Sequence, residues 1–454
     1  MTTVLGSGIA LLDSTVVNVA LPTIGRDLGA DLVGVQWVIS GYALTLAALI
    51  LLGGSLGDRF GRRRAYVCGV AGFGVASVLS ALSPNIQILV SARALQGVAA
   101  ALLTPGSLAI LQSSFHPADR MRAIGTWTGA LSIAAASGPL VGGWLVDYSW
   151  RWVFWINVPL CAAVVVLAVR YVPESRNPVA SHHIDLWGVL LGALGLAGVT
   201  YALTALPDHG VGPLTLTTGG GGLAALAAFI VNERHSRQPM LPTTLFTSRV
   251  FNVINVVTFA IYAALSGTFL FLVLFLQVVS GWEALRAGAA ALPLSLVMLV
   301  LASRFGTLAT RIGARPLMIV GPLTAATGLV LLSLSPAHPS YVMNILPGVT
   351  ILGLGLAMTV APLTGTVLAA APDDLAGTAS GVNNAVARTA GLIAVAALPV
   401  MVGLSGTQYA DPVSLAPAYR VALLICGATM VVGSALTMAG LPAKAGETPA
   451  EAVA

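Results

Sequence analysis

The sequence predicts an all-α membrane protein with fourteen membrane-spanning helices: two related six-helix halves and a two-helix hairpin inserted between them. Three observations predict this fold class. Of the 454 residues, 57% are hydrophobic and only 8% are charged, whereas soluble domains carry about 25% charged residues. Fourteen apolar runs are long enough to cross a bilayer, which takes about 20 residues. A sequence pattern also recurs at a fixed offset in the two halves of the chain.

The fourteen apolar runs are joined by mostly short connections. Internal Gly and Pro residues in the longest runs indicate bends within one helix rather than loops between two helices. The runs are expected at 3–22, 35–56, 65–83, 86–113, 122–146, 152–172, 185–206, 213–232, 250–279, 284–304, 315–335, 340–370, 376–405 and 418–440.

The Lys and Arg residues are distributed unevenly between the two sides of the membrane. Fifteen lie in the even-numbered connections or the C-terminal tail, and four lie in the odd-numbered connections. Because positive residues concentrate on the cytoplasmic side, we expect a multi-pass protein of the cytoplasmic (inner) membrane with both termini in the cytoplasm. The net charge of +5 does not indicate nucleic-acid binding, since no basic face gathers these residues.

A repeat relates the two halves of the chain. The stretch from Gly54 to Arg63 follows the second run, and a similar stretch from Gly306 to Arg315 follows the tenth, at an offset of 252 residues. The same offset places Leu265 opposite Asp13, so the acid belongs to the N-terminal half alone. The duplication predicts an N-terminal half at 1–172, a linker with helices 7 and 8 at 173–249, a C-terminal half at 250–441 and a cytoplasmic tail at 442–454.

Asp13 is the only acidic residue that we place at membrane depth. A carboxylate at a helix centre costs roughly 2.5 kcal/mol or more, so such a residue usually has a function. Counted from the outer helix ends at 1.5 Å per residue, Asp13 lies about 14 Å deep and Arg93 about 10 Å deep. Burial favours a protonated carboxyl and a nearby guanidinium favours the ionised form, so a helix movement that changes their separation would load or release a proton. The alternative is a static ion pair that joins helices 1 and 4.

Six short motifs occur in order along the chain. Together they resemble the fourteen-helix drug:proton antiporter family of the major facilitator superfamily, over essentially the whole length. Two positions depart from that family's pattern: Ala134 stands where a Gly is usual, and Thr389 where a Gln is usual. The motifs are Leu12-Asp13-Ser14-Thr15-Val16-Val17-Asn18-Val19-Ala20-Leu21-Pro22; Gln36-Trp37-Val38 with Tyr42; Gly54 to Arg64; Arg93-x-x-Gln96-Gly97; Gly125 with Gly138-Pro139-x-x-Gly142-Gly143; and Trp150 to Pro159.

The resemblance implies a gating role for the connection after helix 2. Asp58 is expected against the positive N-terminus of helix 13, near residues 376–380, when the cytoplasmic side is closed. Such a contact is worth about 0.3–1 kcal/mol and would favour one state of the transport cycle. The alternative is that the connection only sets topology. The gating residues are Gly54, Asp58, Arg59, Gly61, Arg62 and Arg63, with Asp119 as an expected partner of Arg62 or Arg63.

The antiporter motif of helix 5 consists of Gly125, Gly138, Pro139, Gly142 and Gly143. Small residues and a missing backbone donor permit close helix packing and a bend. Close packing would seal the junction between the two halves against leakage across the membrane. A role of the motif in helix packing and a role in transport therefore scarcely differ.

Polar and aromatic residues in several helices are candidates for a substrate cavity. Arg388 has no membrane acid in its own half, so we expect it either to bind backbone carbonyls or to face the substrate. The cavity candidates are Asn18, Gln96, Phe259, Tyr262, Gln277, Asn344, Asn383, Asn384 and Arg388.

These features predict a transporter rather than an enzyme, acting as a monomer without metal or cofactor. The expected function is proton-driven export, by alternating access, of small amphipathic or lipophilic compounds such as drugs or antibiotics. The chain has no Gly-x-x-x-x-Gly-Lys-Ser/Thr nucleotide-binding motif. A single membrane acid indicates a low proton stoichiometry and disfavours dications. The alternatives are a dedicated exporter of one endogenous metabolite, a non-transporting membrane sensor, and a proton-coupled importer, which the helix 5 motif disfavours.

Overall fold

The computed structural model confirms the all-α membrane fold. It describes residues 2–114, 127, 131, 133–134, 137–138, 140–175, 185–236, 243–371 and 376–442, and all regular structure within these ranges is helical. Thirteen helices among the described residues are long and apolar enough to cross a bilayer. A fourteenth, the predicted fifth helix, is described only in part.

Fourteen helices follow the order of the predicted runs. Several begin at a side-chain cap: Asp31 accepts a hydrogen bond from Gly34 N at 2.8 Å, and Ser248 caps the ninth helix in the same way through Phe251 N. The helices are α1 Thr2–Asp27, α2 Leu32–Phe60, α3 Arg62–Ala81, α4 Ile86–Ser114, α5 at 140–148, α6 as Trp152–Trp155 and Asn157–Tyr171, α7 Leu186–His209, α8 Pro213–His235, α9 Arg249–Leu274 with a π turn at Phe275–Val279, α10 as Ala284–Ala289 and Leu292–Ile312, α11 Ala314–Ser333, α12 as a π turn at Tyr341–Ile345 and Leu346–Ala369, α13 Ala376–Met401, and α14 Pro412–Gly440. Short 3₁₀ turns span Thr243–Thr247 and Gly406–Ala410.

We call the end of the bundle that holds Thr2 the inner end, and the end that holds Arg26 the outer end. These names follow the orientation predicted from the positive residues. Apart from α5, which is described only in part, each helix crosses from one end to the other, and the Arg-rich connection between α2 and α3 lies at the inner end.

The helices pack as two groups joined at a seam. In the first group, α4 contacts α1, α2 and α3, and α6 contacts α1 and α3. In the second, α14 contacts α9 and α11, and α12 contacts α10 and α11. The groups meet where α2 packs against α13 and where α1 packs against α9 and α10. The α7–α8 hairpin lies beside this seam, because α7 contacts both α2 and α13.

The connection after α2 is shorter than the gap expected between the runs 35–56 and 65–83. Helix α2 continues to Phe60, so Gly54 and Arg59 are helical and the chain reverses at Gly61 alone. Gly61 has a φ of 116°, and its repeat counterpart Gly313, between α10 and α11, has a φ of 86°. Only glycine adopts such values at little cost, so the sequence repeat corresponds to the same backbone junction in both halves.

Candidate functional site

The site is centred on Asp13 in α1, at the middle of the membrane-spanning region. Asp13 and Arg93 are each only 1% exposed to solvent. The structure brings them together: Arg93 Nη1 donates to Asp13 Oδ2 at 2.6 Å. An ion pair removed from water needs further hydrogen bonds on both partners to be tolerated.

Both carboxylate oxygens of Asp13 accept hydrogen bonds from the surrounding helices. Oδ2 accepts from Arg93, while Oδ1 accepts from Asn157 Nδ2 at 2.8 Å and from Gln96 Nε2 at 3.3 Å. Three donors from α4 and α6 therefore stabilise the charged form of the carboxylate. Gln96, predicted to line a cavity, is fully buried within this network instead.

Arg93 is held by partners on several sides. Its Nε donates to the carbonyl of Val38 at 3.1 Å, and its Nη1 also donates to Gln96 Oε1 at 2.7 Å. The guanidinium carbon lies 4.4 Å from the ring centre of Tyr42, close enough for a cation–π interaction. The arginine therefore joins α4 to α1 and to α2.

Sequence reasoning missed two members of the network, Ser77 in α3 and Asn157 in α6. Ser77 Oγ accepts from Gln96 Nε2 at 2.8 Å and from Asn157 Nδ2 at 3.3 Å, and donates to the carbonyl of Phe73. A signal existed for Asn157, because it is an amide within the apolar run 152–172. No comparable signal marks Ser77, since a serine in a membrane helix usually bonds its own backbone.

The glycines of the fifth helix allow it to pack closely against α1 of the first group and against α10 of the second group. A methyl group at Gly138 would overlap the Thr15 side chain, and one at Gly142 would come within 3.0 Å of Val16, so both glycines face α1. A methyl group at Gly143 would overlap the Leu285 backbone of α10. The α5 helix therefore contacts the other group of helices at the outer end. Gly125 and Pro139 lie outside the described residues.

The connection between α2 and α3 is tied to the segment that follows α6. Glu174 Oε1 accepts from Arg63 N at 3.1 Å, and Arg62 N donates to the carbonyl of Ser175 at 2.9 Å. A methyl group at Gly61 would come within 2.6 Å of Glu174 Oε1. The carboxylate thus occupies the N-terminus of α3, where the helix dipole favours a negative charge.

Glu174 was not among the predicted residues, although it occupies the place expected of an acid beside Arg63. Its carboxylate also lies 3.9 Å from Arg63 Nε and 3.8 Å from Arg64 Nε. The side chain of Asp58 and the whole of Asp119 lie outside the described residues, so the contact of Asp58 with helix 13 stays a prediction.

Two of the cavity candidates make hydrogen bonds to nearby residues. Asn383 donates to Asn255 Oδ1 at 3.1 Å and to Thr258 Oγ1 at 2.8 Å, so it joins α13 to α9. Asn344 lies in the first turn of α12 at the outer end, where its Oδ1 accepts from Ser340 N at 2.9 Å. The hydrogen bonds of Asn383 hold two helices together, and the hydrogen bond of Asn344 stabilises the start of a helix. Three further candidates are half-buried, namely Asn18, Phe259 and Tyr262. Asn384 is exposed.

Arg388 is the second guanidinium at membrane depth. It is half-buried in α13 and makes no hydrogen bond or ion pair with the described residues. Its charge acts on Tyr42 of α2 and on Tyr262 of α9. Ala385, one turn before it, packs against the apolar cluster that contains Tyr42. Of the two predicted roles, binding to backbone carbonyls is not seen within the described part of the chain, and facing the substrate stays a prediction.

An outer cavity of about 820 Å³ lies between the two groups of helices. Gln277 lines it, and its Nε2 donates to the carbonyl of Val19 at 3.0 Å, which joins α9 to α1 beneath the cavity. Val19 is six residues beyond Asp13, about 9 Å along the helix. The acid is therefore separated from the outer cavity by nearly two turns. The cavity is also lined by Arg26, Asp31, Asp147, Trp282, Glu283 and Tyr409.

Within the described ranges, no group of three or more His, Cys, Asp or Glu residues is arranged to hold a metal ion. The site holds one carboxylate, Asp13, with hydrogen-bond donors on both of its oxygens.

Comparisons with known proteins agree with this architecture. The puromycin resistance protein pur8 of Streptomyces alboniger is 36% identical over 94% of this chain and 86% of its own length. The methylenomycin A resistance protein of Bacillus subtilis (strain 168) is 35% identical over 93% of this chain and 91% of its own. The tetracenomycin C resistance and export protein of Streptomyces glaucescens is 34% identical over 86% of this chain and 73% of its own.

A solved structure of a POT family transporter in complex with 5-aminolevulinic acid has the same fold. Its TM-score is 0.71 at 13% sequence identity, and the match covers 96% of this chain and 95% of that one. The sequence model of the Major Facilitator Superfamily matches residues 3–396. Two packed groups of helices, resistance relatives matched over most of their length and this family match together lead to one conclusion: the chain belongs to the Major Facilitator Superfamily.

Proposed function

We propose that this protein exports small amphipathic or lipophilic compounds, drugs or antibiotics among them, across the cytoplasmic membrane in exchange for protons. The observation that carries the proposal is the Asp13–Arg93 pair, sealed from solvent at membrane depth. An ionisable pair in this position is costly to maintain and typically marks an ion or proton pathway. The resistance and export relatives support the direction of transport.

The proton step depends on the balance of charge around Asp13. In the present arrangement three donors stabilise the ionised carboxylate. A movement of α4 away from α1 would remove the guanidinium and favour the protonated acid. Because α1 also contacts α9 and α10 of the other group, we propose that motion between the halves shifts α1 against α4 within the N-terminal half. Proton binding and alternating access would then be coupled through α1.

The outer end offers a route for release. The cavity there lies between the two groups of helices, and the bond from Gln277 to Val19 joins the groups beneath it. A compound leaving the centre would pass this point after the bond breaks. We propose residues 1–172 and 250–441 as the two moving halves, the outer end as the extracytoplasmic side, and both termini in the cytoplasm.

Transport into proteoliposomes driven by a pH gradient tests the proposal. Wild type is compared with Asp13→Asn, using puromycin, methylenomycin A and tetracenomycin C as probes, with proton flux recorded in parallel. Asp147→Asn is the matched control, because it removes an exposed carboxylate at the outer cavity and leaves the Asp13 network intact. We expect Asp13→Asn to abolish probe-dependent proton flux and Asp147→Asn to retain it.

The same panel separates the main alternatives. Some relatives are named after one compound, as the tetracenomycin C resistance and export protein is. A dedicated exporter of one compound is therefore the second candidate. Transport of one probe only would favour the dedicated exporter. Unchanged proton-coupled transport by an Asp13→Asn protein that reaches the membrane would refute the proton role.

A further inference from the structure

Asn157 contacts the candidate proton site, and the proposed function has not yet given it a role. It is the first residue of the long part of α6 and is 0% exposed. Its amide nitrogen donates to Asp13 Oδ1 at 2.8 Å, a shorter contact than the one from Gln96 at 3.3 Å. After Arg93 it is the closest group to the carboxylate.

The amide oxygen of Asn157 has no hydrogen-bond partner among the described residues, although it is buried. Buried polar atoms are nearly always hydrogen-bonded, so an exception calls for an explanation. Here the unpaired atom is an acceptor that belongs to the same amide group as a donor to Asp13. Rotation of the amide by a half-turn about its Cβ–Cγ bond would exchange the two positions.

Protonation changes what Asp13 requires from its neighbours. The ionised carboxylate only accepts hydrogen bonds, whereas the protonated acid has an O–H that must find an acceptor. Every group now directed at the carboxylate is a donor. Gln96 Oε1 already accepts from Arg93 at 2.7 Å, and Ser77 Oγ directs its proton to the carbonyl of Phe73 at 2.8 Å. Asn157 Oδ1 is an unoccupied acceptor on an amide that already contacts the acid through its Nδ2.

We propose that Asn157 is a positioning residue for the proton step, serving the ionised carboxylate through its Nδ2 and the protonated acid through its Oδ1. The proton resides on Asp13 Oδ1 throughout the bound state, and the amide neither gains nor loses one. Without such a group, a site surrounded only by donors would leave the acid proton unpaired. This inference rests on the proposed function, because it requires Asp13 to be the proton site.

The other charged or titratable groups around Asp13 do not replace this acceptor. Arg93 from α4 and Arg388 from α13 are permanent cations without an acceptor atom. Tyr42 from α2 and Cys161 from α6 are within electrostatic reach of Asp13, but neither makes a hydrogen bond to it among the described residues. The amide of Asn157 is thus the group that can switch between donor and acceptor.

Infrared spectroscopy of the purified protein tests the inference without a transported compound. A protonated carboxyl has a C=O stretching band, and Asp13→Asn identifies the band that belongs to Asp13. Asn157→Leu keeps the approximate side-chain volume and removes both donor and acceptor. Cys161→Ala is the matched control, because Cys161 lies one turn further along α6 and is also buried. Asn157→Ala is read in place of Asn157→Leu if the latter does not fold.

We expect the Asp13 band to appear at low pH in wild type and in Cys161→Ala at the same frequency. In Asn157→Leu the band should shift to higher frequency, since the acid proton has lost its acceptor. An unshifted band in both Asn157 variants would overturn the inference and leave the proton role of Asp13 standing. If no titrating band disappears in Asp13→Asn, the proton site itself is wrong, and the inference falls with it.

Discussion

The buried Asp13–Arg93 ion pair predicts that removing one of its charges destabilises the protein more than removing both. Replacing Asp13 by Asn keeps the shape of the side chain but removes the negative charge 2.6 Å from Arg93 Nη1. At that distance, Coulomb's law with an effective dielectric constant of 20 gives an attraction of ~6 kcal/mol. Arg93 remains protonated and buried, because a guanidinium does not lose its proton in proteins. We therefore expect Asp13→Asn to lose about 3–5 kcal/mol of stability, typical of a broken buried pair.

Adding Arg93→Gln to Asp13→Asn should recover part of this loss. The second substitution removes the stranded charge, although it also gives up the contact with the Tyr42 ring, worth about 2 kcal/mol when desolvated. The measurement is the thermal unfolding midpoint of wild type, both single variants and the double variant in one detergent. We expect the double variant to unfold above Asp13→Asn. A double variant whose losses simply add would show that the two charges are not coupled and would refute the reasoning.

Three further predictions concern packing and helix termini. Gly143→Ala places a methyl group against the α10 backbone and should lower the free energy of unfolding by about 1–3 kcal/mol. Gly220→Ala is the control, because a methyl group at Gly220 meets nothing within 4 Å. It should leave the unfolding midpoint unchanged or raise it. Glu174→Gln removes a partly buried charge at the α3 N-terminus, so we expect a loss of about 0.5–1 kcal/mol, and an unchanged midpoint would show that the amide serves equally well. Hydrogen bonds, first from the Ser414 hydroxyl and then from backbone N–H groups, lower the pKa of Asp411 from its ordinary value of 3.8. Its stabilising contribution is present above pH 3.8 and is lost as the pH falls through the lower folded value, so Asp411→Ala should destabilise the protein at neutral pH but not in strong acid.

Much of the fold could be predicted because membrane helices are constrained by length and apolar composition alone. The Asp13–Arg93 contact could also be anticipated, since the single membrane acid and Arg93 were expected at similar depth, on helices of the same half. Asn157 and Ser77 could not be assigned to the site, because their roles depend on how α3 and α6 rotate toward α1. Glu174 was missed for a similar reason: sequence spacing does not show that the segment after α6 folds back onto Gly61.

The same limit applies to the cavity residues. Asn383 and Gln96 are polar residues in apolar helices, and sequence alone cannot tell a lining residue from one that satisfies a neighbour. Their hydrogen bonds to Thr258 and Ser77 depend on which helix faces they occupy. Helix direction and depth can be read from the chain, whereas rotation about the helix axis is fixed by packing.

The α7–α8 hairpin has a consequence for compounds that dissolve in lipid. Because α7 lies along both α2 and α13, it shields that flank of the junction between the halves from the surrounding acyl chains. A hydrophobic molecule that diffuses within the bilayer meets the hairpin on this flank before it meets α2 or α13. The hairpin therefore makes the protein asymmetric toward the lipid phase.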